Sequence, residues 1–139
     1  MKKKYTLEAV EDVDFSVYAI NSHAKAYRFC WSINKSLFLD FEKTQDQKID
    51  KEMLFSRYFC EAEEGLEYNI ITNRSSKGYF MPEQKSVNYF LIVNKKQNKK
   101  EKEKIINQLK NNKEVLFVFE LDVTKSKYLE RFIINDKKN

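Results

Sequence analysis

His23, Tyr27, Cys30 and Asn34 are the residues whose types and spacing come nearest to a reactive site. They recur at i, i+4, i+7 and i+11, which on a helix makes one stripe of groups able to form hydrogen bonds. Such a stripe could line a small polar pocket, with Cys30 as a nucleophile beside His23. One turn separates His23 from Tyr27 and two separate it from Cys30, so a direct Cys–His contact along the helix is too long. The plainer reading, and the one expected here, is that His23 helps tie a loop while Cys30 packs as a small hydrophobe. His23 is the only histidine. A two-histidine metal site and a His-Glu-x-x-His pattern are therefore both excluded, and neither metal nor cofactor is expected.

Three further groupings each have a mundane explanation. Lys77-Gly78-Tyr79-Phe80 is like the start of an RNA-recognition strand, but Phe80 stands where that pattern needs a small residue, and Pro82 would break the strand. Glu61, Glu63, Glu64 and Glu67 offer oxygen ligands for a hard cation, yet they surround Gly65 at the tip of an expected hairpin, where solvation suffices. The Lys95–Lys104 run could bind anions, but its interleaved glutamates fit a solvated helix face.

The segment Met81-Pro82-Glu83-Gln84-Lys85-Ser86-Val87-Asn88-Tyr89 holds the only proline. Together with Ser22-His23, Tyr27-Arg28-Phe29-Cys30-Trp31 and Asn34-Lys35, it resembles the IPExxxVDY family, small proteins of Bacteroidetes named for this signature. Met81 stands for the isoleucine and Asn88 for the aspartate, so a role needing a carboxylate at 88 is in doubt. The resemblance covers most of the chain and implies no particular activity. It does direct attention to a surface where Pro82, Glu83, Asn88 and Tyr89 meet the helix carrying His23, Arg28 and Trp31. There Glu83 is the expected acceptor for Arg28, with Tyr89 and Trp31 as aromatic surface.

Periodicity sets the elements that carry these residues. Tyr5–Ala9 and Asp14–Ile20 read as strands. Ser22–Phe38 is the expected long central helix, with Ser22 as its N-cap. Its polar arc is Lys25, Arg28, Ser32, Lys35 and Ser36, and its wide apolar arc includes Tyr27, Phe29, Trp31, Ile33 and Phe38, so Trp31 is expected to be buried. Leu39–Lys43 is a short strand and Thr44–Lys51 a loop. Met53–Ala62 and Leu66–Asn73 form a hairpin, and Ser75–Gly78 is a loop. Val87–Asn94 is a central strand buried on both faces. Asn98–Asn111 is a second helix with Ile105, Ile106 and Leu109 as its stripe. Val115–Val123 is a strand, and a short last helix buries Tyr128, Leu129, Phe132 and Ile133. Strands that mostly succeed one another without crossover helices argue for α+β: a mainly antiparallel sheet packed by one long helix and two shorter ones.

The chain is 139 residues, the size of one domain with short basic tails at both ends. Only two glycines exclude a glycine-cradled nucleotide site. Two cysteines far apart in sequence read as free thiols in a reducing cytoplasm. Met1–Lys4 is basic, but Tyr5–Val10 is too short and too charged for the apolar core of a secretory leader, and no apolar run is long enough to span a membrane. The net charge is +5, and only Arg28, Arg57, Arg74 and Arg131 of the 26 cations are arginines. Lysine-dominated charge favours weak, non-specific attraction to nucleic acid over base or phosphate recognition. The expected function is therefore that of a cytoplasmic protein-binding or adaptor module. An RNA-associated protein would bring Lys2–Lys4, Lys95–Lys104 and Lys137-Lys138 to one face. An enzyme would gather His23, Glu83 and Tyr89 in one cleft.

Overall fold

The computed structural model describes residues 13–134, so the expected strand Tyr5–Ala9 and the basic termini lie outside the described residues. Among these residues, ten strands and two α-helices succeed one another: β1 (Ser16–Asn21), α1 (Ala26–Leu37), β2 (Glu42–Lys43), β3 (Gln47–Asp50), β4 (Met53–Phe55), β5 (Arg57–Glu63), β6 (Leu66–Thr72), β7 (Arg74–Ser75), β8 (Gly78–Tyr79), β9 (Tyr89–Val93), α2 (Lys99–Lys110) and β10 (Phe117–Glu120). Single 3₁₀ turns occupy Pro82–Gln84 and Leu129–Phe132.

Six strands make one sheet in the order β10-β1-β9-β6-β5-β2, with every neighbouring pair antiparallel. The α+β class and the antiparallel sheet thus stand. β9 lies inside the sheet and is buried at every position, as its unbroken apolar run requires. The period of two sorts side chains between two cores. Tyr18, Ile20, Ile70, Tyr89, Leu91 and Val93 point to the side where Phe29, Cys30 and Ile33 of α1 and Ile105 and Leu109 of α2 cover them. Val17, Ala19, Ile71, Phe90 and Ile92 point to the other, where no α-helix of the described residues packs. Phe55, Phe80, Met81, Val87, Leu121, Val123 and Phe132 fill that side from short hairpins and turns. Phe80, Phe90 and Phe132 meet there with ring centroids 5.2–6.1 Å apart.

The helix inventory needs correcting. Among the described residues the two α-helices are equal, at 12 residues each, and the expected third is only a 3₁₀ turn. Its backbone bonds run from residue i to i−3, at Leu129, Arg131 and Ile133. Arg131 anchors it by donating to the carbonyls of Tyr79 and Phe80, while Phe132 is buried and Ile133 stays exposed. α1 starts four residues later than Ser22, because the Ser22 amide is held by the Asn88 side chain and its hydroxyl accepts from Ala24. Lys25 is the N-cap and supplies no side-chain bond. α1 ends where Phe38 turns left-handed, at φ 57°. The expected loop Thr44–Lys51 contains β3, which pairs with β4 around a turn fixed by Asp50 accepting from Glu52 and Met53. The expected loop Ser75–Gly78 links the two-residue strands β7 and β8. No helix among the described residues is long and apolar enough to cross a membrane.

Candidate functional site

The Met81–Tyr89 segment is held by one buried residue that belongs to none of the sequence motifs, Asn73. Its side chain donates to the carbonyls of Gln84 (2.7 Å) and Val87 (2.8 Å) and accepts from the Met81 amide (2.8 Å). Its backbone also bonds Asn88 and Phe80. A fully buried amide that meets three loop groups replaces the regular ladder these groups would otherwise need. Nothing in the hydrophobic pattern marks it, because an asparagine at a strand end reads as a turn residue.

The second half of the segment reaches the start of α1. Asn88 accepts from the Ser22 amide at 2.8 Å, and Asn21 donates to the Ser86 carbonyl at 2.8 Å. The bond to Ser22 needs only an acceptor oxygen, which an asparagine supplies as well as an aspartate. Tyr89 is buried, stacks on Phe29 with centroids 4.0 Å apart and rings 3° from parallel, and donates its hydroxyl to the Ala24 carbonyl. Burial pushes its phenol up to about 12. Asn88 and Tyr89 are thus spent on aiming α1.

Pro82 and Glu83 do not join them. Pro82 opens the 3₁₀ turn, and Glu83 accepts from Ser126, in the segment that packs on the side of the sheet away from the helices. The expected Glu83–Arg28 pair is replaced by Arg28–Glu114, at 3.1 Å. His23 is exposed, Tyr89 is buried and Glu83 is bound to Ser126, so the cleft that an enzyme of this design would need is not formed by these three residues.

The polar stripe also dissolves. His23 precedes the helix, so helical spacing does not carry it onto the face of Cys30. Cys30 is buried, and desolvation pushes its thiol up to about 12, away from nucleophilic character. Asn34 closes the loop after α1, accepting from the Phe41 amide at 2.6 Å. Both cysteines are free. No group of acidic, histidine or cysteine side chains among the described residues is placed to hold a metal ion. Glu61 instead accepts from the Gly65 amide. Phe80 of the RNA-strand-like tetrapeptide is buried in the second core.

The largest departure is Trp31. It is 61% exposed, with Tyr27 at 72% and Phe38 at 85%, on the helix expected to bury all three. The apolar arc is wider than the face the sheet can cover: Phe29, Cys30 and Ile33 take the buried positions, and the aromatic residues flank them. Ser32 and Ser36 look toward α2, bonding Asn112 just after it at 2.9 and 2.8 Å. At about 100° per residue, Tyr27 and Trp31 lie roughly 100–180° round the helix from those serines, on the flank turned from α2. The Lys35 ammonium sits 3.7 Å from the Trp31 ring centroid. Tyr27 also lines an open cleft of about 400 Å³ with His23, Lys25, Arg28 and Glu114. Phe38 lines another, of about 450 Å³, with Leu39, Leu66, Tyr68 and Ile105 among its walls.

The lysine-rich region is partly neutralised within the fold. Lys95 pairs with Glu101 at 3.0 Å, and Lys102 with Glu120 at 2.8 Å. Lys2–Lys4 and Lys137-Lys138, which the RNA-associated reading adds to it, lie outside the described residues. Compared with family models, curated proteins and solved structures, the chain finds no match in any of the three.

Proposed function

We propose that this protein is a binding or adaptor module for another protein, working in the cytoplasm through the outer flank of α1. One observation carries the reading: Tyr27 and Trp31, one turn apart on that flank, are large aromatic side chains left in solvent. Aromatic residues concentrate binding energy at protein interfaces, and clustered exposed ones mark such surfaces. Of the residues expected to bind, Trp31 lies on this flank and His23 lines the cleft beside Tyr27, while Arg28 turns to Glu114 and Asn88 and Tyr89 support the helix from behind. The resemblance to the IPExxxVDY family belongs to the same proposal, supported by Asn88 doing an aspartate's acceptor work. Nucleic acid would be held only weakly and without sequence preference, since Lys95 and Lys102 are engaged with carboxylates.

The test is a pull-down from native extract with the wild-type chain and with Trp31→Ser, at two salt concentrations. The expected result is a protein retained by the wild type and lost with the variant, which rebinds when purified. Partners retained equally by both would remove the reading. Sub-micromolar oligonucleotide binding at about 150 mM salt would replace it with the RNA-associated one.

A further inference from the structure

We infer that the occupant of this flank is an acidic amphipathic helix from another protein, laid alongside α1; the inference rests on the reading of α1 as a docking surface. The first ground is charge. α1 carries no aspartate or glutamate, and Lys25, Arg28 and Lys35 lie on or just before it. Arg28 is matched by Glu114, but among the described residues no carboxylate pairs with Lys25 or Lys35. Lys35 instead stands over the Trp31 ring, so cation and aromatic surface form one unit. Lys43, 5.9 Å from the ring centroid of half-buried Tyr58, is already paired with Asp46 at 2.8 Å and adds no free charge to this edge. A surface of aromatic rings edged by cations is complementary to apolar groups edged by carboxylates.

The second ground is shape. α2 lies toward the β10 end of the sheet, where Lys102 reaches Glu120, and α1 lies over β9, where Phe29 stacks on Tyr89. Beyond α1, toward β5 and β2, no further helix of the described residues packs. The rows of side chains at four-residue spacing on a helix, here Tyr27 and Trp31, are the ridges that seat in the grooves of a second helix. A partner strand has little to join on that side, because the edge strand β2 is two residues long. A second copy is disfavoured by the same charge: pairing α1 with α1 would bring Lys25 and Lys35 against their own images, with no carboxylate on either helix.

Trp31 is the only tryptophan, so it reports its own occupancy. The probes are two synthetic amphipathic peptides of about 18 residues, or five helical turns, sharing one leucine stripe. One has glutamate and glutamine on its polar face, the other lysine and glutamine. With the full chain, the acidic peptide is expected to shift Trp31 emission to the blue, to shield it from acrylamide, and to lose affinity as salt rises. The lysine peptide is expected to leave the emission unchanged. By anisotropy of the labelled acidic peptide, Trp31→Ala should weaken binding by about tenfold or more, as for an interface hot spot. Lys35→Glu, on the solvent side of the helix, should weaken it by about fivefold. Equal binding of both peptides, binding of neither, or indifference to Lys35→Glu overturns the inference. So does a free chain that sediments as a dimer, or whose Trp31 is already shielded as a monomer. If a partner isolated in the pull-down needs Trp31 but docks through a basic or extended segment, the inference fails and the docking surface stands. If no partner needs Trp31, both fail.

Discussion

α1 and α2 have the same length and lie on the same side of the same sheet, yet they treat solvent in opposite ways. α2 begins with a complete capping box: Asn98 accepts from the Glu101 amide at 2.8 Å, and Glu101 accepts from the Asn98 amide at 2.9 Å. It buries only Ile105 and Leu109 and turns lysines and glutamates outward. α1 has no side-chain cap and no acid in its first turn, and it turns Tyr27 and Trp31 outward. The difference teaches where each helix gets its stability. α2 takes much of it locally, from its cap and polar surface. α1 takes it from one buried row and from the Asn88 and Tyr89 bonds that fix its start. Its outer flank is therefore free to differ from what stability alone would select.

The widest test of that contrast lies within α1 itself. Phe29 is fully buried and stacked on Tyr89, whereas Trp31, two residues on, stands in solvent. Phe29→Ala should cost about 3–5 kcal/mol by removing a core ring and leaving a cavity. Trp31→Ala should change stability by no more than about 0.5 kcal/mol, as expected of an exposed position. Urea unfolding of both variants decides it; a Trp31→Ala loss above about 2 kcal/mol would return Trp31 to the core. The same contrast predicts red-shifted, readily quenched tryptophan emission in the free wild-type protein.

The caps give a smaller effect of opposite sign in the two helices. Asn98→Ala removes the capping box and should cost α2 about 1 kcal/mol. Lys25 already has the extended backbone of an N-cap, φ −68° and ψ 158°, but bonds nothing with its side chain. Lys25→Asp should therefore stabilise by about 0.5–1 kcal/mol. Thermal unfolding at one protein concentration reads both. A loss from Lys25→Asp would show that the start of α1 has no spare capping capacity.

These contrasts also mark how far the sequence can be read. The inner strand Tyr89–Val93 and the second helix are legible because one needs five apolar residues in a row and the other a regular stripe bounded by Asn98. The hairpin around Gly65 is legible from its turn residue, which takes φ 83°. Trp31 is misjudged because helical periodicity ranks residues by hydrophobicity, while the sheet covers only about as much of a helix as one contact face allows. β3 is missed because Gln47, Lys48 and Asp50 carry no strand signal; its pairing with β4 and the Asp50 turn make it. Of the site, His23 and Arg28 do line one cleft, with Trp31 further along α1, but for a different reason than a helix capped by Ser22. Pro82 and Glu83 fall on the opposite side of the sheet from the one expected, because motif spacing says nothing about which face a loop turns to. Asn73, which ties that loop, has no pattern of its own.

The smallest effect is the most specific, because only one of the two helices should show it. Glu101 is held below the usual carboxylate range, chiefly by the bond it accepts from the Asn98 amide and next by Lys95. A carboxylate whose folded pKa is lowered adds stability that is present above its unfolded pKa. That contribution is lost as pH falls through the lower, folded value. Acid should therefore weaken the first turn of α2 as the pH drops below the ordinary glutamate range. α1, with no carboxylate in its own sequence, should show no such step at its start. Glu101→Gln keeps an acceptor for the Asn98 amide but removes the charge, so it should flatten the pH dependence of α2 while leaving the neutral-pH structure intact. The measurement is amide exchange at the starts of both helices, from neutral pH down to pH about 3, where glutamate side chains are protonated. If the α1 start loosens as much as the α2 start, or if Glu101→Gln leaves the α2 profile unchanged, the cap is not what distinguishes the two helices.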